Sequence, residues 1–128
     1  MTSSETNSLC RQILALLEEA GGEDALTLAN VLAGGQYRLE TIADLQEALL
    51  TMLREGLIRL SQAGGEGVST REQSEDFLST FADKVHWNKD SWQWLPVVPA
   101  TSAVLTDAGA KRAQYILAKY GWGVRGSR

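Results

Sequence analysis

Residues 41–60, TIADLQEALLTMLREGLIRL, change their period part-way along. Ile42, Leu45, Leu49, Met52 and Leu53 recur at the 3.6-residue spacing of one helix face. Beyond Gly56, the stretch LIRLS alternates as a half-buried strand does. Gly56 stands where a helix ending in the left-handed conformation wants a residue without a Cβ. The pattern predicts a helix over residues 42–55, capped by Thr41, that runs straight into a short strand. The rest of the chain is read around that junction.

Upstream, Leu9, Ile13, Leu16, Leu17 and Ala20 predict a helix over residues 8–20, capped by Asn7 or Ser8 and stopped by Gly21-Gly22. A shorter helix is expected over 28–33, with Thr27 as its cap and Gly34-Gly35 as its end. Downstream, QAGGEGVSTR (62–71) is loop chemistry. Thr70 and Gln73 then have capping-box spacing, and Phe77, Phe81 and Val85 fall four apart beside Leu78. These predict an amphipathic helix over 71–85. SWQWLPVVPATSAVL reads as extended, with Trp92 and Trp94 on one face and Pro96 and Pro99 forcing an edge or irregular strand. Thr106 or Asp107 caps a last helix whose apolar stripe is Ala113, Ile116, Leu117 and Tyr120.

The segments DLQEALLTMLREGLIRL (44–60) and AVLTDAGAKRAQYIL (103–117) resemble the winged helix-turn-helix superfamily. The first resembles its third helix, with G-L-I leading into the wing. The second resembles the L-T-x-x-G phrase that returns from the wing to a C-terminal helix. The resemblance implies a mostly α fold with a small β-wing, a winged-helix-like single domain over residues 1–128. Residues 62–91 would then be a loop and helix inserted in the wing, with 1–7 and 123–128 as flexible tails. It also implies the superfamily's usual work, DNA-binding transcription regulation.

The chemistry of the third helix argues against groove reading. Its outward face carries Ala43, Asp44, Glu47, Thr51 and Arg54. Duplex DNA presents about one phosphate charge per 1.7 Å, and two carboxylates repel it where one arginine attracts. Residues 1–83 hold 5 Lys/Arg against 14 Asp/Glu, and residues 84–128 hold 7 against 2, giving −9 and +5. Any nucleic-acid contact would therefore come from the basic second half, through Lys84, Lys89, Lys111, Arg112, Lys119, Arg125 and Arg128. The same division could instead be two halves neutralising each other in the fold.

No catalytic constellation is visible, and neither a metal nor a cofactor is expected. His86 is the one histidine and Cys10 the one cysteine, without ligand spacing. Asp83, His86 and Ser91 lack any nucleophile-elbow phrase, and His86 is expected to end the inserted helix, where a cation suits the dipole. The glycines of AGGEG are followed by no Gly-Lys-Ser/Thr. Glu18-Glu19 and Glu75-Asp76 are helix neighbours that diverge. A single cysteine excludes an internal disulfide and fits a reducing compartment. With no apolar run near the roughly 18–20 residues of a membrane span and no secretory leader at the start, cytoplasmic localisation is the expectation.

What remains is aromatic. HWNKDSWQW gathers Trp87, Trp92 and Trp94, with Phe77 and Phe81 upstream and Trp122 near the end. Buried, they make a satellite core between the inserted helix and the strand. Partly exposed, they are hot-spot material for a protein partner or a second copy of the chain, a homodimer. Stacking on single-stranded nucleic acid is the third reading. The expected function is a non-catalytic module for protein–protein interaction or assembly, with a DNA-binding regulator as the alternative.

Overall fold

A computed structural model describes residues 3–34, 39–62 and 70–120 of the chain. The elements run α1 (Ser3–Ala20), β1 (Glu23–Asp24), α2 (Ala25–Ala33), α3 (Leu39–Arg54), β2 (Ile58–Gln62) and α4 (Arg71–Ser79). A 3₁₀ turn (Phe81–Lys84), β3 (Val85–Asn88), β4 (Ser91–Trp94), β5 (Thr101–Leu105) and α5 (Asp107–Tyr120) complete it. The fold is mostly helical, with two small antiparallel sheets, β1-β5-β2 and the hairpin β3-β4. Among the described residues no helix is long and apolar enough to cross a membrane.

The periodic readings hold where they were strongest. Ile42, Leu45, Leu49, Met52 and Leu53 are all buried, and Gly34 and Gly56 end α2 and α3 with φ of 61° and 75°. Ile13, Leu14 and Leu17 of α1 meet Leu28 of α2, Leu60 and Ala103 of the sheet, and Ile116 of α5 in the same core. Leu49→Ala should therefore cost about 2 to 5 kcal/mol in denaturant melts, because it empties a site where helices converge. Thr51, half-exposed with its hydroxyl donating 2.9 Å back to the Glu47 carbonyl, should tolerate alanine with little change. Equal losses would mean that the helix is phased differently.

Four boundaries differ from the sequence reading. α3 begins at Leu39, so Thr41 lies inside the helix and does not cap it, and the residue before Leu39 lies outside the described residues. α1 begins at Ser3, so Asn7 and Ser8 lie inside it and residues 3–7 are helical where a tail was expected. α2 begins at Ala25, because Asp24 and not Thr27 is its cap: the Asp24 carboxylate accepts from Leu26 N–H at 2.7 Å. α4 keeps its expected capping box at Thr70 and Gln73 but stops at Ser79. There, Ser79 and Thr80 turn their hydroxyls back to the carbonyls of Glu75 and Asp76, competing with helix continuation. The 3₁₀ turn follows, and His86 consequently sits exposed in strand β3 and ends no helix.

Candidate protein-binding surface

The segment between β2 and β5 is fastened to the helices by side-chain hydrogen bonds at several points. Gln46 of α3 donates from its amide to the Ser79 carbonyl at 3.3 Å and accepts from Ala82 N–H at 3.0 Å. Arg54 pairs with Glu75 at 2.7 Å, and Arg71 donates to the Arg54 carbonyl at 2.6 Å, satisfying an orphan at the end of α3. Asn30 of α2 closes the outer edge of β4: its amide donates to the Trp92 carbonyl at 3.2 Å and accepts from Trp92 N–H at 2.8 Å. The side-chain amide thereby does for Trp92 what another strand's peptide group would do.

This attachment decides where the aromatic rings go. In the hairpin, Val85 faces Trp94 and Trp87 faces Trp92, so these four share one face. Phe81 is fully buried, and its ring lies edge-on to Trp94 at 5.8 Å, while Phe77 lies tilted against the same indole at 5.9 Å. Trp94 Nε1 donates to the second oxygen of Asp24 at 3.3 Å, so one carboxylate both caps α2 and holds the insertion. Trp92 is buried and meets Trp87 edge-to-face at 5.6 Å. The rings join the main core and form no separate satellite: Leu78, Phe81, Val85 and Trp92 belong to the same buried cluster as the helices.

Among the described aromatics singled out in the sequence, Trp87 and Trp92 border an opening, and Trp87 is the less buried of the two. It is half-buried, with Nε1 donating to the Lys89 carbonyl at 3.0 Å across the hairpin turn. Beside it lies a cleft of about 500 Å³, walled by Ile42 and Ala43 of α3, Ala82 of the 3₁₀ turn, and Val85 and His86 of β3, with Trp92 at its base. Phe77 and Trp94 are half-buried against each other, and Trp122 lies outside the described residues. Sequence reasoning missed the cleft's α3 wall and the Asn30 clamp. A lone asparagine amid the apolar residues of LTLANVLAG was the available signal.

The described basic residues singled out in the sequence are spread over the 3₁₀ turn, the hairpin turn and α5. Lys84 lies 5.0 Å from the Phe77 ring centroid and donates to Thr80 Oγ1. Lys89 sits at the exposed hairpin turn with φ 62°. Lys111, Arg112 and Lys119 are on α5, which packs on α1, and Arg125 and Arg128 lie outside the described residues. The exposed positions of α3 are Glu40, Ala43, Glu47 and Arg54, with Asp44 half-exposed and Arg54 paired with Glu75, while α4 and the 3₁₀ turn cover its flank.

The chain matches no protein-family model, no curated protein and no solved structure. Among the described residues no three His, Cys, Asp or Glu side chains come together as a metal-binding group. Cys10 is half-buried on α1, its Sγ 3.8 Å from the Ala48 carbonyl, and burial, aided by the Glu55 carboxylate, pushes its pKa from 9.0 to about 11. The thiolate is the reactive form. Alkylation by iodoacetamide should thus be slow at neutral pH in the folded protein, climb as pH approaches 11, and become fast on unfolding. Rapid modification of native protein at neutral pH would contradict this burial.

Proposed function

We propose that this chain is a winged-helix-like, non-catalytic binding module, cytoplasmic in setting, that recognises another protein through the cleft beside Trp87. The fold part of this reading is supported by topology: β1 precedes α2 and α3, and the late strand β5 lies between β1 and β2. The two phrases that carry the resemblance also touch. Thr106 N–H donates to the Leu57 carbonyl at 3.0 Å, and the Thr106 hydroxyl donates to the Gly56 carbonyl at 2.5 Å. G-L-I and L-T-x-x-G are thus two sides of one stitch.

The observation that carries the binding part is Trp87. An indole bordering an open apolar cleft has the character of an interface anchor: a large rigid area, desolvated at little entropic cost by a complementary side chain. DNA reading through α3 has no comparable support, since its open face is acidic and its flank is covered. Co-purification from cells that make the protein, read by mass spectrometry with and without nuclease, tests the choice. Partners should survive nuclease and be lost with Trp87→Ala, which circular dichroism should show still folded although it loses the edge-to-face contact with Trp92. Duplex titration at about 0.15 M salt should show nothing tighter than the roughly micromolar non-specific range. A nanomolar duplex site, or partners that vanish with nuclease, would favour the regulator instead.

A further inference from the structure

Two open hollows lie where α1 and α2 run beside each other, and together they form a groove lined by apolar and acidic side chains. Its first part, about 220 Å³, has Leu9, Gln12 and Leu32 beside Glu40 and Asp44 of α3. Its second part, about 250 Å³, has Leu16, Leu28 and Val31 beside Glu19 and Glu23. Leu9, Gln12 and Leu16 share one face of α1, and Leu28, Val31 and Leu32 one face of α2, so the two hollows follow a single line. No cation is among the described residues that line it. Val31, a side chain that normally seeks burial, is 56% exposed there.

α5 shows the converse surface. It turns Ala113 and Ile116 into the core, which leaves Lys111 and Arg112 exposed and Tyr115 60% exposed, with Lys119 Nζ 5.8 Å from the tyrosine ring centroid. Arg112 and Tyr115 border a crevice that Arg11 and Glu55 also line, so its described lining has two guanidinium groups for one carboxylate. The buried side of α5 is fixed against α1, so within one chain this cationic face cannot turn into the groove. The opposed charge of the two halves of the sequence is then matched between copies.

We propose that α5 of one copy lies in the α1–α2 groove of a second copy. Tyr115 covers the apolar side chains around Val31, and Lys111 and Arg112 lie among the groove carboxylates. The lengths agree: at about 1.5 Å per residue, residues 9–20 of α1 offer roughly 17 Å and residues 111–119 of α5 need roughly 12 Å. The contact joins two different surfaces, so it is heterologous, and the pair keeps one unused surface of each kind. It involves neither Trp87 nor the cleft beside it.

Sedimentation over a concentration series tests the proposal. The average mass should rise with concentration and fall as salt screens the charges. The double variants K111E/R112E and E40K/D44K should each weaken self-association by at least about tenfold, because like charges then meet. Mixed together, the two variants should associate again, through the surface that each retains and through the reversed charges, which now complement each other. Tyr115→Ser should weaken association without touching a charge, and circular dichroism should show all variants folded. A monomer at every concentration, association indifferent to these variants, or a mixture that fails to pair would overturn the proposal.

Discussion

Replacing Phe81 with serine should cost about 3 to 5 kcal/mol of stability while leaving the protein's mass in sedimentation unchanged. Phe81 is fully buried in the 3₁₀ turn, edge-on to Trp94, in the cluster that also contains Leu78 and Val85. Truncation leaves a cavity that α3 cannot fill, because Gln46 fixes the backbone on both sides of the ring through Ser79 and Ala82. The serine hydroxyl would add a buried polar group in need of a partner. Phe77, half-buried and bordered by the Lys84 ammonium, should cost less for the same change. Both substitutions act within one chain, since the insertion closes over its own helices. A folded Phe81→Ser protein that had lost an oligomer would reverse that conclusion and make the insertion an interface.

How much of this was legible follows from the range of the interactions. The inward face of α3, the left-handed glycines at 34 and 56 and the capping box of α4 depend on neighbours within a few residues, and local spacing disclosed them. The start of α2 did not show, because Thr27 has a good cap side chain while Asp24 wins through strand pairing with Ser102 and a bond to Trp94. The end of α4 was ambiguous in principle. Val85 sits four residues after Phe81, as a helix requires, yet alternates with Trp87, as a strand requires. Burial of Trp92 depends on Asn30, 62 residues away. The candidate cleft inherits that limit, for Ile42 and Ala43 meet the hairpin only after α4 and the 3₁₀ turn have folded back.

Gly109→Ala should be among the costliest single-methyl additions in the chain. Gly109 lies in the first turn of α5, and a Cβ there would fall on the Leu57 carbonyl oxygen, 2.9 Å from its carbon and 3.1 Å from Leu105 Cδ2. Neither party has room to retreat. The Leu57 carbonyl accepts from Thr106 N–H at 3.0 Å, and Leu57 N–H donates to the Met52 carbonyl at 2.9 Å at the close of α3. Gly109 N–H is itself held at 3.1 Å by the Thr106 hydroxyl. Moving α5 outward would thus break the cap and the stitch between G-L-I and L-T-x-x-G, and then uncover Ala113 and Ile116. A loss of about 3 kcal/mol or more is expected, at or above the usual range for overpacking. Gly56→Ala is the control. Its site has open space around the missing Cβ and a φ of 75°, so only the left-handed penalty of about 1 to 2 kcal/mol applies. Chemical denaturation of the two variants separates the causes: a larger loss at 109 than at 56 places the constraint in packing against Leu57. Equal or reversed losses would place it in backbone conformation alone, and α5 would then not be seated on that carbonyl.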